Sequence, residues 1–453
     1  MALSGYQSDG QEKSGSNAQS SNKAELSSNA KNYLWRYIDD ELEALDGLTA
    51  IAIDGAKGVG KSETSIRRAD ETWYLDRDNE RELLYAQMDK ILQGPGTICL
   101  DEWQHVPQVW DAVRRNVDKH VATRYLLTGS ATPTSGVDTH SGAGRILSLR
   151  MRPLSVAERD NTQPSVRIAE LFEQKNDSRV ENPCVEISGA TDWQLADYAE
   201  AICSTGLPGI RTLPPRARRQ HVASYIHRVI DRDIPEQGLL VRKPESLRAW
   251  WRAYAEASST PTAYNKILDA ATAGDSNKTA KETAQGYRDM LQKLWLLDPV
   301  PAWHPNRTPL KRLTTGPKHQ IFDPGIAAAL LGVTAEMLVS RDPGSWELFG
   351  QLFESLVTLT VRAAGQAAEA ETAHLRLQGG SREVDLILER YDGKVIAFEV
   401  KLNPVPTDRD VRHLNWLGEQ LGSRLVDKIV VTTGSHAYRR ADGCAVVPLA
   451  LLG

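Results

Sequence analysis

The chain is short of the features that mark secreted or membrane proteins. Four cysteines stand in 453 residues, Cys99, Cys184, Cys203 and Cys444. They form no close pair and no metal-ligand spacing, so they read as reduced thiols rather than as a disulfide or metal framework. No apolar run is long enough to span a bilayer, and the N-terminus lacks the charged start and apolar core of a signal peptide. A soluble cytoplasmic protein without membrane attachment is expected. An excess of positive charge is also missing: 54 Lys and Arg stand against 59 Asp and Glu, a formal net charge of −5. That balance excludes a globally basic nucleic-acid coat, so any DNA contact must come from a local patch. Residues 1–30 hold almost no large apolar side chains and are rich in Ser, Asn, Gln and Lys. Such a segment cannot offset its ordering entropy by burial and is expected to be a disordered tail.

What the chain does contain is concentrated in a few places. Gly55-Ala56-Lys57-Gly58-Val59-Gly60-Lys61-Ser62 follows the apolar run of residues 48–53 and reads as a complete phosphate-binding loop. Its glycines let backbone N–H groups converge on a triphosphate, Lys61 supplies a cation for the β and γ oxygens, and the Ser62 hydroxyl is a ligand for the accompanying Mg²⁺. A helix over residues 62–70, with Glu63 in its first turn, should follow. The nucleotide set is therefore Gly55, Lys57, Gly58, Val59, Gly60, Lys61, Ser62 and Glu63, with ATP and Mg²⁺ as the cofactors.

A second nucleotide element is Thr97-Ile98-Cys99-Leu100-Asp101-Glu102, an apolar strand expected beside the loop strand. Asp101 would then reach the Mg²⁺ shell and Glu102 would polarise the water that attacks the γ-phosphate. A third strand, Tyr125-Leu126-Leu127-Thr128-Gly129-Ser130, ends in small polar residues, and Ser130 or Thr128 is expected to sense the γ-phosphate or hold that water. Arg145 is the candidate for stabilising transition-state charge, in its own site or in a neighbouring subunit, with an ordinary surface arginine as the alternative.

A chain of this length should hold two or three domains. Residues 31–154 alternate strands and helices as in an α/β P-loop domain with a parallel sheet. Residues 155–245 turn helical, with a tight turn at Gly206-Leu207-Pro208-Gly209 and a locally basic stretch through Arg211, Arg219, Arg228 and Arg232. That stretch suits DNA, nucleotide phosphates, the acidic edge of another domain or plain solvent. Residues 246–315 resemble a helix-turn-helix with a wing. In that arrangement Asn277, Lys278, Lys281 and Gln285 face a DNA groove, and Arg307, Lys311 and Arg312 on a hairpin over residues 303–313 meet phosphates. The same trihelical unit also serves as a spacer or protein-contact module.

The C-terminal third carries a second constellation. Glu383-Val384-Asp385-Leu386-Ile387-Leu388 and Val395-Ile396-Ala397-Phe398-Glu399-Val400-Lys401-Leu402 read as two strands joined by Tyr391-Asp392-Gly393. A three-residue loop with Gly393 in the left-handed position sets Asp385 opposite Glu399 and puts Asp385, Glu399 and Lys401 on one face. Two carboxylates and a lysine suit a divalent metal and a polarised water for phosphodiester hydrolysis, with Glu354 as a further ligand. A solvent-facing acid–base pair on a half-buried sheet is the alternative.

These motifs, together with Gly144-Arg145, Pro153-Leu154-Ser155 and Glu158, Asp231-Arg232-Asp233 and Phe322-Asp323-Pro324-Gly325, occur in one order. The chain thereby resembles the bacterial and archaeal AAA-type ATPases that join a P-loop domain to a C-terminal domain of unknown function with a restriction-endonuclease-like core. The resemblance covers about residues 33–450. It implies an ATPase related to the AAA and signal-transduction NTPases, a winged-helix segment, and a C-terminal α/β domain of the PD-(D/E)XK class over residues 316–453. By position it gives Lys61 and Ser62 to phosphate and Mg²⁺, Asp101 and Glu102 to hydrolysis, Ser130 to the sensor, and Glu354, Asp385, Glu399 and Lys401 to a nuclease-like site. Val384 stands where the name-giving proline would be. An ATP-gated enzyme acting on DNA and a nucleotide-dependent switch that binds a protein partner are the two expectations, either of them compatible with an oligomer.

Overall fold

Alternation along the first strands builds the nucleotide domain. The computed structural model of the chain describes residues 33–129, 142–159, 163–173, 185–239, 241–273, 279–304, 316–340, 342–377 and 379–453. The tail expected over residues 1–30 lies outside them. In chain order the first elements are α1 (Tyr37–Ala44), β1 (Ala50–Asp54), α2 (Lys61–Ile66), β2 (Glu71–Tyr74), α3 (Asp78–Ile91), β3 (Gly96–Asp101), α4 (Gln108–Asp118), β4 (Thr123–Gly129) and β5 (Leu147–Arg150). The strands form an all-parallel sheet in the order β2-β3-β4-β1-β5. Ala50 and Ala52 of β1 join one core with Leu84 of α3 and Val109 and Val113 of α4. Ile51 and Ile53 join the other, which continues into the rest of the molecule. Period-two alternation with both faces buried is what a central parallel strand requires.

Two expectations need correction. The Asp101 strand does not lie beside the loop strand, because β4 pairs with both, Leu100↔Leu127 on one side and Ile53↔Thr128 on the other. Apolar residues on both faces of β4, with Tyr125 and Leu127 in one core and Leu126 in the other, demand that central place. The helix expected over residues 62–70 is also shorter, ending at Ile66. Asp70 is already drawn into the sheet edge, its backbone N–H donating to the Thr97 carbonyl and its carboxylate accepting the Thr97 N–H, both at 2.8 Å.

A helical layer follows: α5 (Ile168–Phe172), a short β6 (Gly189–Ala190), α6 (Leu195–Cys203), α7 (Pro208–Arg211), α8 (Pro215–Arg228), α9 (Pro244–Glu256), α10 (Tyr264–Ala271), α11 (Lys281–Lys293), α12 (Pro324–Leu331) and α13 (Ala335–Val339). Helix α8 runs on through a π-turn at Val229–Asp233. The three helices α9 to α11 pack together as the trihelical reading expects, and Lys281 and Gln285 are exposed. Of the hairpin expected over residues 303–313, only residues 303 and 304 are described. Trp303 is buried in the C-terminal core, its backbone N–H bonded to the His374 carbonyl at 2.8 Å and its indole to Glu389 at 2.6 Å. Asn277, Lys278, Arg307, Lys311 and Arg312 lie outside the described residues. Helices α12 and α13 pack on α6, so the boundary expected at residue 316 falls inside the helical layer. Asp323 caps α12 and also accepts from the Thr205 hydroxyl at 2.8 Å and the Gly206 N–H at 2.7 Å.

The C-terminal part runs α14 (Pro343–Ala367), β7 (Ala370–Arg376), β8 (Glu383–Arg390), β9 (Val395–Val400), α15 (Asp408–Leu421), β10 (Leu425–Thr432), β11 (His436–Arg439) and β12 (Ala445–Pro448). Its mixed sheet has the order β6-β11-β12-β10-β9-β8-β7, with β7-β8-β9 an antiparallel meander and β10 parallel to β9. Leu386↔Phe398 and Leu388↔Ile396 give the register read from the sequence, which sets Asp385 opposite Glu399, and Gly393 has φ +80°. The sheet is not half-exposed. Leu386, Leu388, Ile396 and Phe398 share a core with α14, while Ile387, Val395 and Ala397 share one with α15.

Candidate functional site

At the end of β1 the loop turns through Gly58 at φ +82° and Gly60 at φ +108°, angles that a residue with a Cβ adopts only under strain. Lys61 is buried at 6% exposure, its ammonium donating to the Gly55 and Ala56 carbonyls at 2.9 Å each. Burial pushes its pKa down to about 8, with Glu102, Asp101 and Asp54 opposing that shift. Asp101, at the end of β3, accepts the Ser62 hydroxyl at 2.7 Å and the Thr128 hydroxyl on the same oxygen. Insertion of β4 between β1 and β3 brings Thr128 to this point, so the strand that displaced the expected neighbour completes the site.

Glu102 follows in the left-handed region at φ +54°, ψ +46°, and its carboxylate accepts the Gln104 amide. A non-glycine residue held there is sparsely populated and costs about 1 kcal/mol or more. The strain turns the chain sharply after Asp101. Ser62 and Asp101 present hard oxygen donors of the kind Mg²⁺ takes together with phosphate oxygens and water, so this part of the chain fits the ion. When bound, Mg²⁺ would neutralise charge on the phosphates. Ser130 lies outside the described residues.

Residues outside the motif hold the loop. Arg36, 3% exposed, donates to the Val59 carbonyl at 3.0 Å and the Arg152 carbonyl at 2.7 Å, and pairs with Glu158 at 3.1 Å. Lys57 pairs with Asp233 at 2.7 Å, and the Tyr225 hydroxyl donates to the Lys57 carbonyl at 3.2 Å. The π-turn of α8 thus carries Asp233 of the Asp231-Arg232-Asp233 motif to the loop, an irregularity of the kind often found at functional positions. Arg232 itself forms an exposed pair with Glu236, and Arg218, within the basic stretch, pairs with Glu200. Arg145 does not join the site in its own chain. It precedes β5, at the opposite end of that strand from Arg150, which pairs with Asp54, and it forms an exposed ion pair with Asp118 at 2.7 Å.

A buried charge cluster joins this domain to the rest. Asp298 is met by Arg150 at 3.0 Å, Arg152 at 2.9 Å and Arg362 at 2.8 Å. Burial alone would raise the Asp298 carboxyl, but the three guanidinium groups hold it well below the ordinary range. Gln366, one turn beyond Arg362 on α14, donates to Glu41 and to the Arg150 carbonyl at 3.0 Å each. Nothing local in the sequence signals Asp298 or Arg36, whose partners lie far along the chain.

The C-terminal carboxylates do converge, but on a lysine. Lys318, 1% exposed, places its ammonium 2.9 Å from Glu354, 2.9 Å from Asp385 and 3.4 Å from Glu383. Glu399 pairs instead with Lys401 at 2.7 Å. Among the described residues no group of three or more His, Cys, Asp or Glu is placed to hold a metal ion. Glu354 and Asp385 are engaged by Lys318, and Glu399 by Lys401. The Lys318 ammonium bridges one oxygen of Glu354 and one of Asp385. Burial raises Glu354 to about 8, and burial together with Asp385 raises Glu399 to about 8. Against its burial, Asp385 is lowered by Lys318 and Lys401.

Three parts of the chain match known family models. Residues 48–159 match the family model of an AAA domain, and this part of the chain is an AAA-type nucleotide-binding domain. Residues 195–337 match one domain of unknown function (DUF8612) and residues 349–452 another (DUF4143). The first of these reaches through α12, as the packing does. Uncharacterized proteins of Mycobacterium bovis and Mycobacterium tuberculosis are each 25% identical over 424 residues, covering 89% of this chain and 81% of the relative. Among solved structures, the Aeropyrum pernix ORC2 protein in ADPNP–ADP complexes is similar at 12% identity and a TM-score of 0.26, over 61% of this chain and 87% of that one. The Aeropyrum pernix ORC1 protein in complex with DNA is similar at 12% identity and 0.22, over 68% and 91%. At such scores the likeness carries no argument. No helix among the described residues is long and apolar enough to cross a membrane.

Proposed function

We propose that this protein is a Mg²⁺-dependent ATPase whose nucleotide state is passed to its C-terminal domain. The observation that carries the reading is the convergence of the Ser62 and Thr128 hydroxyls on Asp101 beside the buried Lys61. In this reading Lys61 leaves the loop carbonyls for the β and γ oxygens, Ser62 and Asp101 would hold Mg²⁺, and Glu102 takes a proton from the attacking water. Arg145, on the far side of the sheet, acts only toward a second copy of the chain. The test is steady-state ATP turnover beside nucleotide binding. Glu102→Gln should bind ATP as the wild type does and hydrolyse it about 10²–10⁴-fold more slowly. Equal turnover in both proteins would remove Glu102 from the mechanism.

Coupling runs through Asp298. Arg150 ends β5 beside Asp54, the last residue of the loop strand, while Arg362 and Gln366 lie on α14, so one carboxylate ties the nucleotide sheet to the C-terminal helix. The helix, meander, crossover helix and parallel fourth strand of residues 343–432 support a restriction-endonuclease-like core. The Lys318 cluster favours a switch or binding module over a metal-dependent nuclease. DNA or a protein partner is then recognised without being cut.

A further inference from the structure

Lys318 is fixed at both its backbone and its ammonium. Its backbone exchanges hydrogen bonds with Val300, N–H to carbonyl at 3.0 Å and carbonyl to N–H at 2.9 Å, so the side chain starts from a fixed point. Its ammonium has three N–H donors, and three carboxylates from two elements surround it, Glu354 on α14 and Glu383 and Asp385 on β8. Asp385 is fixed in turn, its second oxygen accepting the Val400 N–H at 2.9 Å. Oε2 of Glu399 is buried without a hydrogen-bond partner, although Oε1 of the same side chain takes Lys401.

From this geometry we infer that Lys318 is a resident cation, standing in for the divalent ion that the Glu354, Asp385 and Glu399 set of a nuclease-like core would otherwise bind. The inference rests on the nuclease-like reading of the C-terminal domain. The ammonium, 2.9 Å from both carboxylates, already takes the oxygens that Glu354 and Asp385 would offer to an ion held between them. A tethered monovalent charge cannot be lost to a chelator and cannot activate water as a Lewis acid. It ties α14 to β8 through Glu354, Glu383 and Asp385. Lys318 also shares a short antiparallel ladder with Asp298, through the bridges Val300↔Lys318 and Leu297↔Ile321 and the bond from the Asp298 N–H to the Gln320 carbonyl. The ammonium therefore lies at one end of a rigid segment whose other end is gripped by Arg150 and Arg152 of the nucleotide domain.

The experiment is Mn²⁺ binding by the full chain without nucleotide, followed by thermal shift and by isothermal titration, for the wild type, Lys318→Met, Lys318→Met/Glu354→Gln and Asp385→Ala. The double variant removes one acid with the lysine, so that a folded protein without the ammonium can be measured. Mn²⁺ should leave the wild-type melting temperature unchanged and raise that of Lys318→Met by several degrees. If the single variant does not fold, the double variant should show a smaller rise, in keeping with a weaker affinity. Mn²⁺ binding by the wild type that Asp385→Ala abolishes would overturn the resident-cation inference while leaving the nuclease-like reading intact. Folded lysine-less variants that bind no Mn²⁺ would overturn the inference and the nuclease-like reading of this cluster together.

Discussion

The nucleotide loop and the C-terminal sheet both bury a lysine near carboxylates, yet the two lysines are spent differently. Lys61 donates to backbone carbonyls of its own loop and leaves Asp101 to two hydroxyls. Lys318 is wholly engaged by side-chain carboxylates. The same inventory of Lys, Asp and Glu therefore gives an exchangeable cation at one end and a structural one at the other. What decides is the partner: an ammonium on neutral carbonyls can be drawn to a phosphate, whereas one that neutralises buried acids cannot leave without exposing their charge.

The comparison breaks most visibly under removal of each ammonium. Lys318→Met removes the ammonium paired with both Glu354 and Asp385 in the interior and should destabilise the fold by about 3–5 kcal/mol, read by chemical denaturation. Lys61→Met strands two carbonyls, which costs about 1–3 kcal/mol, and should abolish measurable ATP binding. Equal destabilisation by the two changes would erase the distinction. The acids sharpen it further. Burial raises Glu354 and Glu399 from 4.5 to about 8, so between those values the folded chain binds more protons than the unfolded one. Their contribution to stability is therefore full below pH 4.5 and lost as pH rises through about 8, and Glu354→Gln should flatten that decline in a series of denaturation curves. At the small end, Arg145→Ala breaks an exposed pair and should move stability by no more than about 0.5 kcal/mol.

Contiguous chemistry was legible in the sequence and dispersed chemistry was not. The phosphate loop is eight consecutive residues, and the β8–β9 register follows from one loop length, because the side-chain period of two leaves a single parity that buries Leu386 and Phe398 together. Asp101 and Thr128 were each readable as strand ends. That they meet depends on where β4 inserts, and only the sheet order shows it. Lys318 lies 36 residues before Glu354 and 67 before Asp385, and Arg36 lies 122 before Glu158. No periodicity reports a pairing at such separations. At the start of the expected wing, Trp303 is buried with an acceptor in Glu389, a partner 86 residues away that local composition does not report.

Asp298 joins two arginines of the nucleotide domain to Arg362 of α14, and hydrogen exchange across it tests the account most directly. With Mg²⁺ and ATP bound, amides in α14 and residues 316–322 should change their exchange rates in the wild type, and the change should vanish in Asp298→Asn although that variant still binds nucleotide. An identical change in both proteins, or no change in a wild type shown to be saturated with ATP, would contradict coupling through this carboxylate.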